Sequence, residues 1–142
     1  MNKQGFTLIE LLVVVAIIGL LASIITINTW GQRDRARDAN IKSYMHQVRN
    51  AAEFVYIQNG ESYALVCDES DDTLANDGEV GLLKKAIMRE NKNMPVKCFT
   101  SSDEKDYAAS SPLVASQGKH WCLETAGAAI EIDSAITAAI CE

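Results

Sequence analysis

One carboxylate, Glu10, stands inside the apolar run FTLIELLVVVAIIGLLASIITINTW that occupies residues 6–30. An ionisable side chain in such a segment costs about 2.5–3.5 kcal/mol on membrane-insertion scales and is by default paired or functional. Glu10 therefore calls for a cation. Gly5, small and flexible, directly precedes Phe6, and cutting the chain after Gly5 would create an amine on Phe6, about one helical turn from Glu10. That amine would neutralise Glu10 of its own chain or of a neighbour, making the charge a docking device in an apolar bundle. No other residues converge on a reaction. His46 and His120 are the two histidines, Ser110, Ser111 and Ser116 lack a G-x-S-x-G setting, and neither a phosphate-binding glycine loop nor an H-E-x-x-H helix is present. The sequence reads as a structural protein rather than an enzyme, with no catalytic residue and no metal-ligand set.

Cys67, Cys98, Cys122 and Cys141 all follow the apolar run and include no C-x-x-C pair, which points to disulfides in an oxidising compartment. Four cysteines allow three pairings. Cys67 with Cys98 and Cys122 with Cys141 are favoured, because each closes a loop of about 20–30 residues worth about 3 kcal/mol in the chain-entropy model. The net charge of −6 argues against a nucleic-acid footprint. The one basic run, Arg33, Arg35 and Arg37, is interleaved with Asp34 and Asp38 and reads as a solvated, self-paired helix face. Residues 67–78 carry Asp68, Glu69, Asp71, Asp72 and Asp77, and the preferred reading is a solvated loop without cofactor. Calcium in that acidic loop is the weaker alternative, since hard cations take clustered carboxylates but the EF-hand spacing is absent.

The elements that must carry these residues follow from hydrophobic period. A helix over residues 6–30 would be about 37 Å long, enough for a hydrocarbon core of about 30 Å. It exceeds the apolar core of a cleaved signal peptide and lacks an A-x-A-like site. Residues 31–59 repeat apolar positions at Ile41, Met45, Val48, Ala52 and Val55, the single stripe of an amphipathic helix, stopped by Asn59-Gly60. Together these predict one helix of about 50 residues, Gly31 being its only breaker at a cost of about 1 kcal/mol. Residues 60–142 form a head: a helix over 79–91 stopped before Pro95, then strands over 107–114, 119–124 and 128–132. Pro112 implies an edge position or an interruption in the first strand, and Cys141 would tie down an Ala-rich tail. The fold class is α+β, a long N-terminal helix packed against a small three-stranded antiparallel meander.

The string Lys3-Gln4-Gly5-Phe6-Thr7-Leu8-Ile9-Glu10-Leu11-Leu12-Val13-Val14-Val15-Ala16-Ile17-Ile18-Gly19 resembles the processing and assembly segment of type IV pilins and type II secretion pseudopilins. The likeness continues weakly to about Gly60. It implies a pilin-like fold with a leader at residues 1–5, cleavage between Gly5 and Phe6 by a prepilin peptidase, N-methylation of Phe6, and pairing of Glu10 with a neighbouring Phe6 amine. It further implies a single-pass protein of the cytoplasmic membrane, head outside, that leaves the lipid for an extracellular pilus filament. The implied partners are copies of itself, related minor pilins and an inner-membrane assembly platform. Many pilins carry a proline near the position of Ile27; here there is none. Counting Lys3 against Arg33, Arg35, Arg37 and Lys42 would place the head in the cytoplasm, but the cysteines and the resemblance place it outside. The preferred function is a polymerising pilin. The alternatives are a minor pilin or pseudopilin of a secretion or DNA-uptake machine and, less favoured, a plain membrane-anchored binding module.

Overall fold

The computed structural model describes residues 5–27 and 29–142, the side chains of 24–27, 29 and 30 excepted. The chain divides into two compact units, Met1–Arg33 and Asp34–Glu142. The first unit holds α1 (Leu8–Ile27), whose described side chains, over residues 8–23, are apolar around the whole circumference apart from Glu10 and Ser23. Helix α2 (Thr29–Gln58) begins two residues later; the expected single helix is described as these two, and Asn28 between them lies outside the described residues.

Within the second unit, the stripe expected on α2 is the spine of the core. Ile41, Met45, Val48 and Ala52 are fully buried, and they share one cluster with Tyr107, Ala109 and Leu123 from the sheet and Val80, Leu83 and Ile87 from α3 (Gly78–Glu90). Burying such side chains contributes about 1.5–3 kcal/mol each, which holds the amphipathic half of α2 on the sheet. The helix stops where Gly60 adopts φ +67° and the Glu61 amide donates back to the Tyr56 carbonyl at 2.9 Å, satisfying a terminal acceptor. Helix α3 covers the expected position to within a residue at each end. Its Gly81 lies so near the preceding loop that a Cβ there would stand 2.1 Å from the Asn76 carbonyl oxygen.

The sheet has six antiparallel strands, not three. They are β1 (Cys67–Asp68), β2 (Thr73–Leu74), β3 (Lys97–Thr100), β4 (Tyr107–Pro112), β5 (His120–Glu124) and β6 (Ala129–Ile132), ordered consecutively. The last three match the expected meander. The first two escaped notice because a two-residue strand carries no alternation, and β3, four residues just after Pro95, carries little more. Pro112 ends β4, which lies between β3 and β5 rather than at an edge.

Strand β4 is buried on both faces, as its small residues allow. Tyr107 and Ala109 join the α2 core, while Ala108 joins a second cluster with Cys122, Ile132 and Ile136. The tail beyond Ile132 supplies that second cover. The Ile136 amide donates to Ser110 Oγ at 3.3 Å, and the disulfide Cys122–Cys141 fixes the end with its Cα atoms 5.8 Å apart. The other disulfide, Cys67–Cys98, ties β1 to β3 across β2 with a Cα separation of 5.4 Å. Both are the favoured pairings.

Candidate assembly segment

At the start of α1, Thr7 and Glu10 close a reciprocal pair. The Thr7 amide and Thr7 Oγ1 donate to Glu10 Oε2 at 2.9 and 2.8 Å, and the Glu10 amide donates to Thr7 Oγ1 at 3.3 Å. This is a capping box, Thr7 at the N-cap and Glu10 three residues on, in which each side chain serves an amide that the first helical turn leaves unpaired. The pair gives the carboxylate local partners within its own chain. Reasoning from charge alone sought a cation for Glu10 and missed Thr7, although the T-x-x-E spacing was the signal.

Around this polar point the helix offers only hydrocarbon. Phe6 and Leu8 are 84% and 81% exposed, and the large apolar side chains from Ile9 to Leu21 are all about half exposed or more. Leu8, Leu11, Leu12, Val15 and Ala16 line a shallow groove of about 450 Å³. An apolar surface of this extent marks contact with lipid or with other helices. The apolar helix whose side chains are described covers residues 8–23, about 24 Å at 1.5 Å per residue. Among the described residues no helix is long and apolar enough to cross a membrane. Gly5 is exposed, with open space around the position of a Cβ; Met1 to Gln4 lie outside the described residues.

In the second unit the residues considered for catalysis are dispersed among structural contacts. His46 is exposed and meets Trp121 edge-on at 6.2 Å, while burial pulls the His120 imidazole below its ordinary pKa. Ser111 Oγ accepts from the buried Asn91 amide group, and the Ser116 amide donates to Asp38. In the acidic loop, Asp68 accepts from the Ser70 amide and hydroxyl and from Asn76, and the Ser70 bonds hold its carboxyl below the usual range. Among the described residues no three His, Cys, Asp or Glu side chains converge as metal ligands would.

The mixed-charge run is not self-paired. Asp34 meets Lys92 at 3.8 Å, and Asp38, buried, accepts from the amides of Val114, Ala115 and Ser116 at 2.6, 3.1 and 3.3 Å. Both acids are thus used inside the head, and among the described residues Arg35 and Arg37 have no carboxylate partner. Helical period alone could not reveal this, because the partners come from 58 or more residues away in sequence.

Residues 1–26 match a family described as the prokaryotic N-terminal methylation motif. Over 58 residues the chain is 41% identical to the type IV wide pilus major component PilA4 of Thermus thermophilus, which takes in 41% of this chain and 44% of that protein. It is 33% and 35% identical over 58 residues to the type II secretion system core protein G of Klebsiella michiganensis and of Escherichia coli, again 41% of this chain and 41% and 40% of theirs. The chain thus spans less than half the length of the curated relatives it matches. No solved structure matches it. The resemblance first seen in the residues from Lys3 to Gly19 is borne out: the methylation motif is present, and the relatives are of both the type IV pilin and the secretion pseudopilin kinds.

Proposed function

We propose that this chain is a structural subunit that polymerises through its N-terminal helix into a pilus-type filament, with the head carried outside and no catalytic role. The observation that carries the reading is Glu10, a single acid near the start of a helix exposed on all sides and lying within a methylation motif. On this reading, cleavage after Gly5 frees the Phe6 amine, methylation caps it, and a neighbour's Phe6 amine takes over part of the Glu10 carboxylate from Thr7. Charge pairing of this kind fixes register in a bundle that has few other directional contacts. Residues 1–5 serve as leader, 6–30 as the membrane and polymerisation segment, 31–59 as the spine of the head and 60–142 as its body. Before assembly the chain is anchored in the cytoplasmic membrane; afterwards it is extracellular. The likeness to core protein G favours one second reading, a pseudopilin in a secretion machine, which would share this segment but form short or sparse fibres.

The test is direct. Gly5→Leu should leave Met1 to Gly5 on the chain by intact mass and abolish fibres in electron micrographs, and Glu10→Ala should be processed yet fail to assemble. Fibres from Glu10→Ala as abundant as those of the parent would remove the polymerisation reading. Long fibres labelled along their length by an antibody to the head support a major subunit, and short or absent ones the pseudopilin.

A further inference from the structure

Where α2 ends, the head has an open cleft of about 820 Å³. Val55, Ala64, Leu65 and Ala75 give it an apolar part, Leu65 being 63% exposed. Glu69, Asp77 and Glu104 are exposed carboxylates on its rim. Asp77 occupies the N-cap position of α3 without using its side chain as a cap, and among the described residues Glu69, Asp77 and Glu104 form no salt bridge. Of the two lysines nearby, Lys84 donates to Asn76 on the cleft wall at 2.9 Å, one cation against the four carboxylates of Asp68, Glu69, Asp77 and Glu104, and Lys105 donates to the Glu61 carbonyl at 2.5 Å. The cleft is therefore half apolar and negatively rimmed.

At the other end of the same helix stand Arg35 and Arg37, left without carboxylate partners because Asp34 and Asp38 are taken by Lys92 and by the 114–116 backbone. Arg37 and Gln58 are separated by about 32 Å of helix at 1.5 Å per residue, so no side-chain motion joins the basic end to the cleft of the same head. That distance is also several times the Debye length of about 8 Å at physiological ionic strength. One head thus carries a cationic end and an anionic cleft that can meet only between copies.

The geometry points to the cleft as the docking site for the Arg35–Arg37 segment of a second copy of this chain, head stacked on head along the direction of α2. The contact is heterologous: the surface that docks differs from the surface that receives, so each added copy presents a fresh cleft, and the series grows open-ended instead of closing into a dimer. Arginine suits the role, because its apolar stem can lie over Leu65 and Val55 while the guanidinium reaches the rim carboxylates. The inference rests on the filament reading above and adds a second contact, made by the heads, to the one made by the stems.

Charge reversal in the full-length chain tests it. Arg35→Glu with Arg37→Glu, and separately Glu69→Lys with Asp77→Lys, should each lower fibre yield about tenfold, as like charges replace opposite ones at a docked pair. A chain carrying all four changes should assemble again, because the contact is restored with its signs exchanged. Intact mass showing both disulfides, together with an unchanged circular dichroism spectrum, establishes that each variant is folded; all four positions are at least partly exposed. Either pair of changes assembling like the parent, or the four-fold variant failing to recover while folded, overturns the proposal. So does loss of fibres from the cleft variant alone, which would give the cleft to another protein. The parent and Glu10→Ala run alongside. If the parent makes no fibres the filament reading itself fails, whereas parental fibres that depend on Glu10 and ignore the charge reversals sink only the cleft contact.

Discussion

Helix α1 and residues 34–58 of α2 show two opposite ways to use apolar side chains. Along α1 they surround the helix and stay exposed; along α2 they form one stripe and disappear into the head. The difference lies in period rather than in quantity. A stripe at intervals of three and four can be covered by one sheet, whereas a helix that is apolar all round has no polar face to leave in water. Its partners must therefore surround it, as lipid or as other helices do. The same chain thus contains a segment that buries its apolar stripe internally and one whose apolar side chains stay exposed.

The sharpest way to break this comparison is to delete the same kind of group from each helix. Met45 is fully buried in the head core, so Met45→Ala should destabilise the head by about 4 kcal/mol, the transfer loss plus a cavity. Leu12 is 61% exposed on α1, so Leu12→Ala should change head unfolding by less than about 0.5 kcal/mol while weakening fibres. Denaturant unfolding of the full chain in detergent, followed through the near-ultraviolet signal of Trp121, measures both. A large loss of head stability from Leu12→Ala would mean that the two segments are not independent.

A second contrast lies within the head, where the outer face of the sheet has no helix and relies on the tail. Replacing Cys122 and Cys141 together with serine opens a loop with a sequence separation of 19 and should cost about 3 kcal/mol. Proteolysis should then remove the tail before it attacks the α2 core. A tail as resistant as in the parent would show that Ile136 and its neighbours hold without the bridge.

What could be read in the sequence tracks the range of the interactions. The α2 stripe, the extent of α3 and the last three strands follow from local period and breakers, and the structure has them. The short strands β1 and β2 exist because Cys67–Cys98 and the β3 edge hold them, which no local pattern encodes. The assignment of Asp38 to the 114–116 amides was out of reach for the same reason, and so the arginines beside it were misjudged as paired. At Glu10 the spacing to Thr7 was visible, but the charge argument considered only an amine and left out the hydroxyl three residues away.

The smallest expected effect is a pH response confined to the head. His120 pairs across the strands with Ile132 of the second cluster, its Nδ1 is enclosed without a hydrogen-bond partner, and burial lowers its pKa from the ordinary value of 6.5. A lowered imidazole pKa means that the unfolded chain takes up its proton first on acidification. The unfolded state then binds more protons than the folded one, and stability falls as pH drops through and below 6.5. The carboxylates with lowered pKa, Asp68 and Asp103, act further down: the stability they contribute is present above their unfolded value of 3.8 and is lost below it. Between pH 6.5 and 5 the slope therefore belongs mainly to His120, and His120→Gln should flatten it. Because the imidazole is partly exposed, the change is small beside those at Met45 or the disulfide, and thermal unfolding at several pH values in one buffer series is the suitable measurement. An equal slope in His120→Gln would assign the response to other groups, and a matching pH effect on α1 would erase the distinction between stem and head with which the comparison began.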